Sequence, residues 1–290
     1  MNCNICPKNC NINRNINYGF CKTKEAYVIA RAALHHFEEP IISGTKGSGA
    51  VFFCGCNLRC SFCQNYEISS KNNKGKEITD KQLKIIFENL IDNGAHNINL
   101  VTPTHYTKNL AKFLENKFSV PIIWNSSAYE KKDALKLLDK KVDIYLPDLK
   151  YLDDALAFEL SSVNDYSKYA KSAIEEMVLQ RGKPILENNL LKSGVVVRHL
   201  VLPGFVNNTL KVIDYIAENF KNDILFSLMF QYVPINKQKI DSLNRRVNNK
   251  EYDIILNHLY KKGIEEGFVQ NLSSASKKYI PDFNCDGLNI

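Results

Sequence analysis

The sequence lacks the long apolar runs and the nucleotide and hydrolase motifs that define several large classes of protein. No stretch approaches the ~18 consecutive apolar residues of a membrane-spanning helix, and the opening MNCNICPKNC has no apolar core of a secretory leader. There is no Walker loop, G-x-S-x-G elbow or H-E-x-x-H motif. These absences argue against a membrane protein, a P-loop NTPase, a serine hydrolase and a zinc protease, and they favour a cytoplasmic location.

The size, composition and charge of the chain fit a globular protein. Its 290 residues could form two ordinary domains, although α/β barrels of roughly 200 to 250 residues are routinely single domains. Hydrophobic residues make up 44% and charged residues 24%, close to globular averages. The net charge of +7 favours an anionic ligand or partner. The charge is diffuse, however, and arginine does not cluster with aromatic residues, so a non-catalytic metal-binding module that contacts nucleic acid is the less favoured class.

Three of the nine cysteines form a motif that leaves one position of an iron-sulfur cluster without a protein ligand. Cys56, Cys60 and Cys63 lie in FFCGCNLRCSFCQN, residues 52–65, with the spacing C-x3-C-x2-C. Four thiolates ordinarily hold a 4Fe-4S cluster. With three, the fourth iron can bind a small molecule through oxygen and nitrogen. A structural zinc site and one corner of a ferredoxin are the alternatives.

A second set of cysteines lies near the start of the chain. Its members are Cys3, Cys6, Cys10 and Cys21, in the pattern C-x2-C-P-x2-C-x10-C. Four thiolates on so short a segment suit tetrahedral zinc or a second iron-sulfur cluster, and bound metal would supply the folding free energy that a segment without a core lacks. Spacing does not decide between the two metals, and free thiols on a disordered arm are the alternative. Cys54 is expected to pack as a small apolar residue, and Cys285 has no partner in the sequence.

Apolar and amphipathic segments alternate along most of the chain. Runs typical of buried strands are AVFF (50–53), INLV (98–101), VPIIW (120–124), VDIYL (142–146), VVVRHLVL (195–202) and ILFSLMF (224–230). Helices are predicted at about 79–94, 107–118, 129–140, 165–181, 208–220 and 249–263. The clearest begins at Thr79, which forms a capping-box pattern with Gln82. Such alternation indicates parallel βαβ units, and about six of them make an open (β/α)6 barrel.

The same pattern divides the chain into four parts. The predicted parts are a cysteine-rich metal-binding segment (1–24), a connector (25–47), a (β/α)6 core (48–235), and a C-terminal helix and tail that pack on the core (236–290). The strand or helix character of the connector is unsettled. The predicted fold class is α/β, a partial (β/α)6 barrel with a short cysteine-rich N-terminal segment.

The cysteine triplet also resembles a known family. An aromatic residue, Phe62, precedes the last cysteine, and the resulting C-x3-C-x-aromatic-C motif resembles the radical S-adenosylmethionine (SAM) enzymes. The resemblance implies a radical SAM barrel in which the amino and carboxylate groups of SAM chelate the open iron. It also implies that one electron from the cluster cleaves SAM to a 5'-deoxyadenosyl radical, with a flavodoxin- or ferredoxin-type electron donor. Such a cluster survives in a reducing, oxygen-poor cytoplasm.

Further segments narrow the resemblance to one branch of that family. The segment from Asp148 to Lys150 and the R-x-x-V-x-P-G segment that begins at Arg198 look like the branch containing the pyruvate formate-lyase activating enzyme. EEPIISGTKGSGAVFF resembles its stand-alone relatives, and the matches together cover about residues 39–234. The resemblance favours an activating-enzyme-like protein that generates a glycyl radical in a partner protein. Modification of a peptide side chain or a small molecule is the alternative.

Polar residues at the predicted strand ends are the candidate SAM contacts, because active sites of parallel barrels lie at the carboxyl ends of the strands. The candidates are Thr102, Thr104, His105, Asn125, Ser126, Ser127, Asp148, Lys150, Arg198 and Gln231. The first three stand where the family more often has a Gly-Gly-Glu-like segment, and the next three suit a ribose. Lys150 is expected to neutralise the carboxylate of SAM and Asp148 to accept from its ammonium group. Ordinary ion pairing at a barrel rim is the alternative for Asp148, Lys150 and Arg198, and no catalytic residue is assigned.

Overall fold

The computed structural model describes residues 2–71 and 74–289 and contains a long mixed sheet flanked by helices. The strands are β1 (Tyr27–His35), β2 (Ser48–Phe53), β3 (Lys76–Ile78), β4 (Ile98–Val101), β5 (Ile122–Ser126), β6 (Ile144–Pro147), β7 (Ile185–Glu187), β8 (Leu190–Leu200), β9 (Leu225–Met229) and β10 (Gly267–Val269). Their order is β10-β9-β8-β6-β5-β4-β2-β1-β3, with β7 paired to β8. Strands β2, β4, β5, β6, β8 and β9 are successive parallel neighbours, which confirms the predicted α/β fold with six parallel core strands.

Helices follow most of these strands, as the amphipathic pattern predicts. They are α1 (Pro40–Ser43), α2 (Asp80–Asp92), α3 (Thr107–Phe113), α4 (Lys132–Lys136), α5 (Asp154–Ser161), α6 (Tyr166–Arg181), α7 (Val206–Asn219) and α8 (Asn249–Lys261). Helix α2 has the predicted capping box, in which the side chains of Thr79 and Gln82 each accept from the backbone amide of the other residue. Its apolar face is buried against the sheet. Within the described residues, no helix is both long and apolar enough to span a membrane.

Two core strands begin and end later than the apolar runs suggest. Strand β5 begins at Ile122 because Pro121 has no amide proton for the sheet, and β6 begins at Ile144. Both strands therefore extend into the polar residues that follow, so that Asn125 belongs to the sheet itself. Side chains alternate between the two faces of a strand. Ile123 packs in an apolar cluster with Ile42 of α1, whereas Trp124 packs in the cluster that includes the outer helices.

The connector and the tail extend this sheet beyond the six core strands. Much of the predicted connector forms β1, which runs antiparallel to β2. This part of the connector is therefore a strand and not a helix. Strand β10 lies parallel to β9 at the other end. The tail then returns to β1, where the Cys285 amide donates to the Ala30 carbonyl at 3.0 Å and the Ala32 amide donates to the Asp286 carbonyl at 2.9 Å. Strand β10 and the tail lack the long periodic patterns by which the core elements were predicted, and the short helix α5 lacks them as well.

Candidate active site

The cysteine triplet lies on the loop after β2, and this loop is held in place from several sides. Gly55 has φ +86°, and a Cβ atom there would lie only 2.4 Å from the carbonyl oxygen of Cys21. The Asn57 side-chain amide donates to the Tyr129 carbonyl at 2.7 Å. An Arg59 guanidinium nitrogen donates to the Cys56 carbonyl at 2.8 Å. Because glycine is required at 55 and two side chains brace the turn, the loop presents its cysteines in a defined position.

The three cysteines share one cavity with most of the predicted SAM contacts. Cys56, Cys60 and Cys63 line it together with Thr102, Asn125, Ser126, Ser127, Asp148, Lys150, Arg198 and Gln231. These residues come from the carboxyl ends of β4, β5, β6, β8 and β9 and from the loop after β2. The arrangement brings thiols, cations and short polar side chains around one space, which is what a cluster with SAM bound to it requires.

Asp148 lies between two cations in this cavity. Its carboxylate is 2.7 Å from Lys150 Nζ and 2.8 Å from Arg198 Nε. Burial opposes ionisation of Asp148, but the charges of Arg198 and Lys150 hold the pKa of its carboxyl below the usual value. Burial likewise lowers the pKa of Lys150. The negative charges of Asp148 and Cys60 outweigh this effect, so the pKa of Lys150 is raised above its usual value. Both carboxylate oxygens of Asp148 already accept a hydrogen bond, so its first role is to orient the two cations.

The sequence interpretation missed Glu38, which completes this charge network. Arg198 donates through Nη1 to Glu38 Oε2 at 2.9 Å and through Nη2 to Asn125 Oδ1 at 2.7 Å. Arg198 and Glu38 are only 12% and 11% exposed at their side chains. Asn99 also donates to Glu38, at 3.0 Å. Each terminal group of the guanidinium is therefore bound by protein, and Arg198 acts chiefly as the cross-brace between β8, β6, β5 and the segment before α1.

Thr104 and His105 do not line the cavity. His105 is buried and its Nε2 lies 2.8 Å from the Cys54 carbonyl. Burial lowers the pKa of His105 to about 3, so the ring is neutral, and Nε2 must carry the proton to meet a carbonyl. The side chain thus orients the backbone that leads into the cysteine loop. Both residues are buried on the 3-10 turn after β4, outside the lining that the other predicted SAM contacts share.

Ser126 borders the cavity but directs its hydroxyl elsewhere. Its Oγ donates to Glu130 at 2.5 Å, and Trp124 Nε1 donates to the same carboxyl at 2.9 Å. Both side chains leave β5 on the helix-facing side, as alternation requires. Glu130 is 1% exposed, and burial raises the pKa of its carboxyl. The sequence interpretation missed Glu130, because no local sequence pattern shows that its carboxyl bonds to Trp124 and Ser126.

The thiols of the triplet have surroundings that suit a cationic iron-sulfur cluster. Burial raises the pKa of Cys56 to about 12 and that of Cys60 to about 11, so thiolates are disfavoured without positive charge nearby. A bound cluster supplies that charge, since its cysteine ligands must be deprotonated. Cys60 Sγ also accepts from Ser161 Oγ at 2.9 Å, and Ser161 is paired with Tyr151 at 2.8 Å. In the part of the chain that the structure describes, no group of three or more Cys, His, Asp or Glu is arranged to hold a single metal ion. A cubane cluster places its ligands on separate irons, so three thiols around one cavity fit it.

The N-terminal cysteines lie behind the cysteine loop and outside the cavity. Cys6 and Cys21 are buried, and the Phe20 amide donates to Cys10 Sγ at 3.3 Å. The carbonyl of Cys21 accepts from the Cys56 amide at 3.3 Å. Of the other two cysteines, Cys54 is buried as expected and Cys285 donates to the Lys74 carbonyl at 3.1 Å. Cys285 is thus a tail residue away from the cavity wall.

Comparison with known proteins identifies the class to which this site belongs. Residues 50–216 match the family model of the radical SAM superfamily, and the chain belongs to that superfamily. A curated relative, an uncharacterized protein of Methanocaldococcus jannaschii, is 31% identical over 263 residues, which cover 87% of this chain and 72% of the relative. Radical SAM enzymes use a 4Fe-4S cluster and SAM, which confirms those two predicted cofactors.

Two solved structures share the fold. Streptococcus suis SuiB has a TM-score of 0.51 and 18% identity, with coverage of 79% of this chain and 50% of SuiB. A spore photoproduct lyase variant has a TM-score of 0.50 and 11% identity, with coverage of 79% of this chain and 78% of the lyase. The chain therefore spans about half the length of SuiB. At these identities the likeness concerns the fold alone.

Proposed function

We propose that the cavity binds SAM on a 4Fe-4S cluster held by Cys56, Cys60 and Cys63, and that the protein removes a hydrogen atom from a substrate. The observation that carries the proposal is the convergence of the three cysteines with Asp148, Lys150 and Arg198 on one cavity. When bound, the cluster supplies the electron that cleaves SAM to methionine and a 5'-deoxyadenosyl radical. The remaining contributions come from side chains of this chain.

Lys150 is the group best suited to the carboxylate of SAM. Among the residues that the structure describes, its ammonium has a single hydrogen-bonded protein partner, Asp148, and two donors remain. Asp148 orients Lys150 and keeps it charged. Arg198, whose guanidinium is already bound to three protein side chains, supports Asp148 rather than SAM. Asn125 and Ser127 line the wall nearby and suit the hydroxyls of the ribose, and Gln231 borders the same space.

For the substrate, we propose an activating-enzyme-like role, in which the radical removes a hydrogen atom from a glycine of a partner protein. The support is the resemblance of the Asp148–Lys150 and Arg198–Gly204 segments to that branch of the superfamily, together with their position at the cavity and its rim. A flavodoxin- or ferredoxin-type protein would donate the electron. The second candidate is modification of a peptide or small molecule, which is favoured by the partial covering of the cavity by the C-terminal tail.

We also propose that residues 1–24 form a metal-binding unit through Cys3, Cys6, Cys10 and Cys21. The thiols of Cys10 and Cys21 both lie beside Gly19, at 3.9 and 3.0 Å from the position of a Cβ atom there. Burial, together with the charges of the other three cysteines, raises the pKa of Cys6 to about 12. A bound iron-sulfur cluster would stabilise these thiolates, as would a zinc ion once the four thiols have closed around it, since they are not yet arranged around a single ion. Metal analysis of the intact protein and of a variant with all four cysteines replaced by serine tests this proposal.

The experiment for the main proposal is anaerobic reconstitution with iron and sulfide, followed by reduction in the presence of SAM. We expect a reducible 4Fe-4S signal and formation of 5'-deoxyadenosine. Replacement of Cys56, Cys60 and Cys63 by alanine should remove both while circular dichroism stays unchanged. The matched control is Cys54→Ala, since Cys54 is buried in the same region but does not line the cavity. Persistent 5'-deoxyadenosine formation in the triple variant would contradict the assignment of Cys56, Cys60 and Cys63 as the cluster ligands. The protein is then mixed with a candidate partner encoded by a neighbouring gene. A glycyl-radical signal in that partner would support the activating role, and a chemically modified peptide would favour peptide modification instead.

A further inference from the structure

Part of the C-terminal tail forms one wall of the cavity. Ser276, Tyr279, Ile280 and Pro281 line the same space as the cysteine triplet. We call residues 276–281 the roof segment. It follows β10 and precedes the stretch that returns to β1, so it crosses between the two sides of the open sheet.

The chain is firmly attached on both sides of the roof segment. Before it, the Gln270 amide donates to the Leu228 carbonyl at 3.1 Å, and Gln270 Oε1 accepts from the Phe230 amide at 3.2 Å. After it, Cys285 and Asp286 pair with the backbone of β1. Phe283 packs its ring 5.5 Å from that of Phe52. Both ends are therefore fixed to the sheet.

The roof segment itself has few bonds to the rest of the protein. Among the described residues, its hydrogen bonds are internal, from the Ile280 amide to the Lys277 carbonyl and from the Lys278 amide to Ser276 Oγ. Its main side-chain contact is between the rings of Tyr279 and Phe37, 4.9 Å apart and edge-on. Phe37 is 54% exposed even with this contact. A segment with fixed ends and few bonds between them opens at low free-energy cost.

The small volume of the cavity favours such an opening. It measures about 230 Å³, whereas sites for cofactors and small molecules usually measure roughly 300 to 1,000 Å³. This cavity must hold the iron-sulfur cluster and SAM, and the reacting group of the substrate must reach them. The sheet, the cysteine loop and the charge network are tightly bonded, so the roof segment is the wall with the most freedom to move.

We infer that the roof segment opens to admit SAM and closes over it, with the contact between Phe37 and Tyr279 as the latch. This inference rests on the proposed function of the cavity. Loss of the latch favours the open state. An aromatic contact of this kind corresponds to a change of about two- to tenfold in the balance between closed and open states.

The test is the kinetics of SAM binding to the anaerobically reconstituted protein, measured by stopped-flow mixing. We expect Phe37→Ala and Tyr279→Ala each to raise both the association and the dissociation rate constants of SAM, by about two- to tenfold. The matched control is Phe158→Ala, since Phe158 is similarly exposed, at 60%, but lies on α5. Hydrogen–deuterium exchange provides a second readout, with the amides of residues 276–280 exchanging fast without SAM and more slowly with it.

The outcomes separate this inference from the function on which it rests. SAM binding with unchanged rate constants in both variants, and amide exchange at residues 276–280 unaffected by SAM, would overturn the latch while leaving the proposed function intact. A parent protein that carries its cluster but binds no SAM would overturn both. Faster binding and release in the two variants but not in Phe158→Ala supports the inference, because a general loss of stability would not single out this contact.

Discussion

Replacing Arg198 with methionine should destabilise the folded protein far more than an ordinary ion-pair deletion. The guanidinium has three hydrogen-bonded partners, Asp148, Glu38 and Asn125, at 2.7 to 2.9 Å. Asp148 retains Lys150 after the change, but Glu38 loses its cation. Removing one partner of a buried ion pair usually costs about 3 to 5 kcal/mol because the remaining charge is uncompensated. We expect a loss of that order in the free energy of unfolding.

The chain offers a matched control for this experiment in Arg181. Its side chain is 12% exposed, as is that of Arg198, and within residues 2–71 and 74–289 it forms one ion pair, at 2.7 Å, with an Asp139 that is 45% exposed. Replacing Arg181 with methionine should therefore cost about 0 to 1 kcal/mol. The assay is anaerobic urea unfolding of the metal-free proteins, followed by circular dichroism. Equal losses in the two variants would refute the reasoning, because they would mean that the network around Arg198 contributes nothing beyond a surface pair.

Three further predictions concern SAM binding, acid stability and the cysteine loop. Lys150→Ala and Asp148→Ala should each weaken SAM binding about tenfold or more in calorimetric titration, and more than Arg198→Ala does; unchanged affinity in both would remove these residues from the site. Glu251 accepts a hydrogen bond from Arg245, and this bond lowers the pKa of Glu251 to about 2 in the folded protein. The ionised Glu251 therefore contributes about 1 to 2 kcal/mol to the free energy of unfolding. This contribution is fully present above the unfolded pKa near 4.5 and is lost as the pH falls toward 2. Glu251→Gln should thus reduce unfolding free energy at pH 7 and flatten its decline in acid, and a decline that stays equally steep contradicts the assignment. Gly55→Ala should prevent stable cluster incorporation, measured by iron content, because the added Cβ meets the Cys21 carbonyl; full iron content would contradict that reason.

The sequence predicted the core strands well because each is a short apolar run between amphipathic helices. The run at 98–101 coincides with β4, and the capping box at Thr79 appears as expected. The sequence did not predict β10, because its three residues are exposed or half-buried and carry no apolar alternation. It also left β1 unsettled, since the alternation of that strand is broken by a register shift between Ile29 and Arg31.

The candidate site was predictable where spacing along the chain fixes geometry and unpredictable where it does not. Asp148 and Lys150 share a face of an extended segment, and both line the cavity. Glu38 and Arg198 are 160 residues apart in the sequence, and no local sequence pattern predicts an ion pair between residues so far apart. His105 lies immediately after a core strand, which made it a candidate, but a 3-10 turn places it in the interior. The side-chain direction after a strand depends on that turn, which the strand pattern does not contain.

The two cysteine motifs are separate in sequence but form one structural unit. The Cys56 amide donates to the Cys21 carbonyl, and the guanidinium of Arg59 donates to the Phe20 carbonyl while stacking 4.2 Å from the Phe20 ring. Gly55 is in close contact with the same carbonyl of Cys21. Any metal that binds the folded N-terminal cysteines stabilises the conformation in which these contacts are made, since ligands that bind only the folded state shift the folding equilibrium toward it. The stability of the cysteine loop is therefore linked to the state of the N-terminal segment, although none of residues 2–24 lines the wall of the cavity.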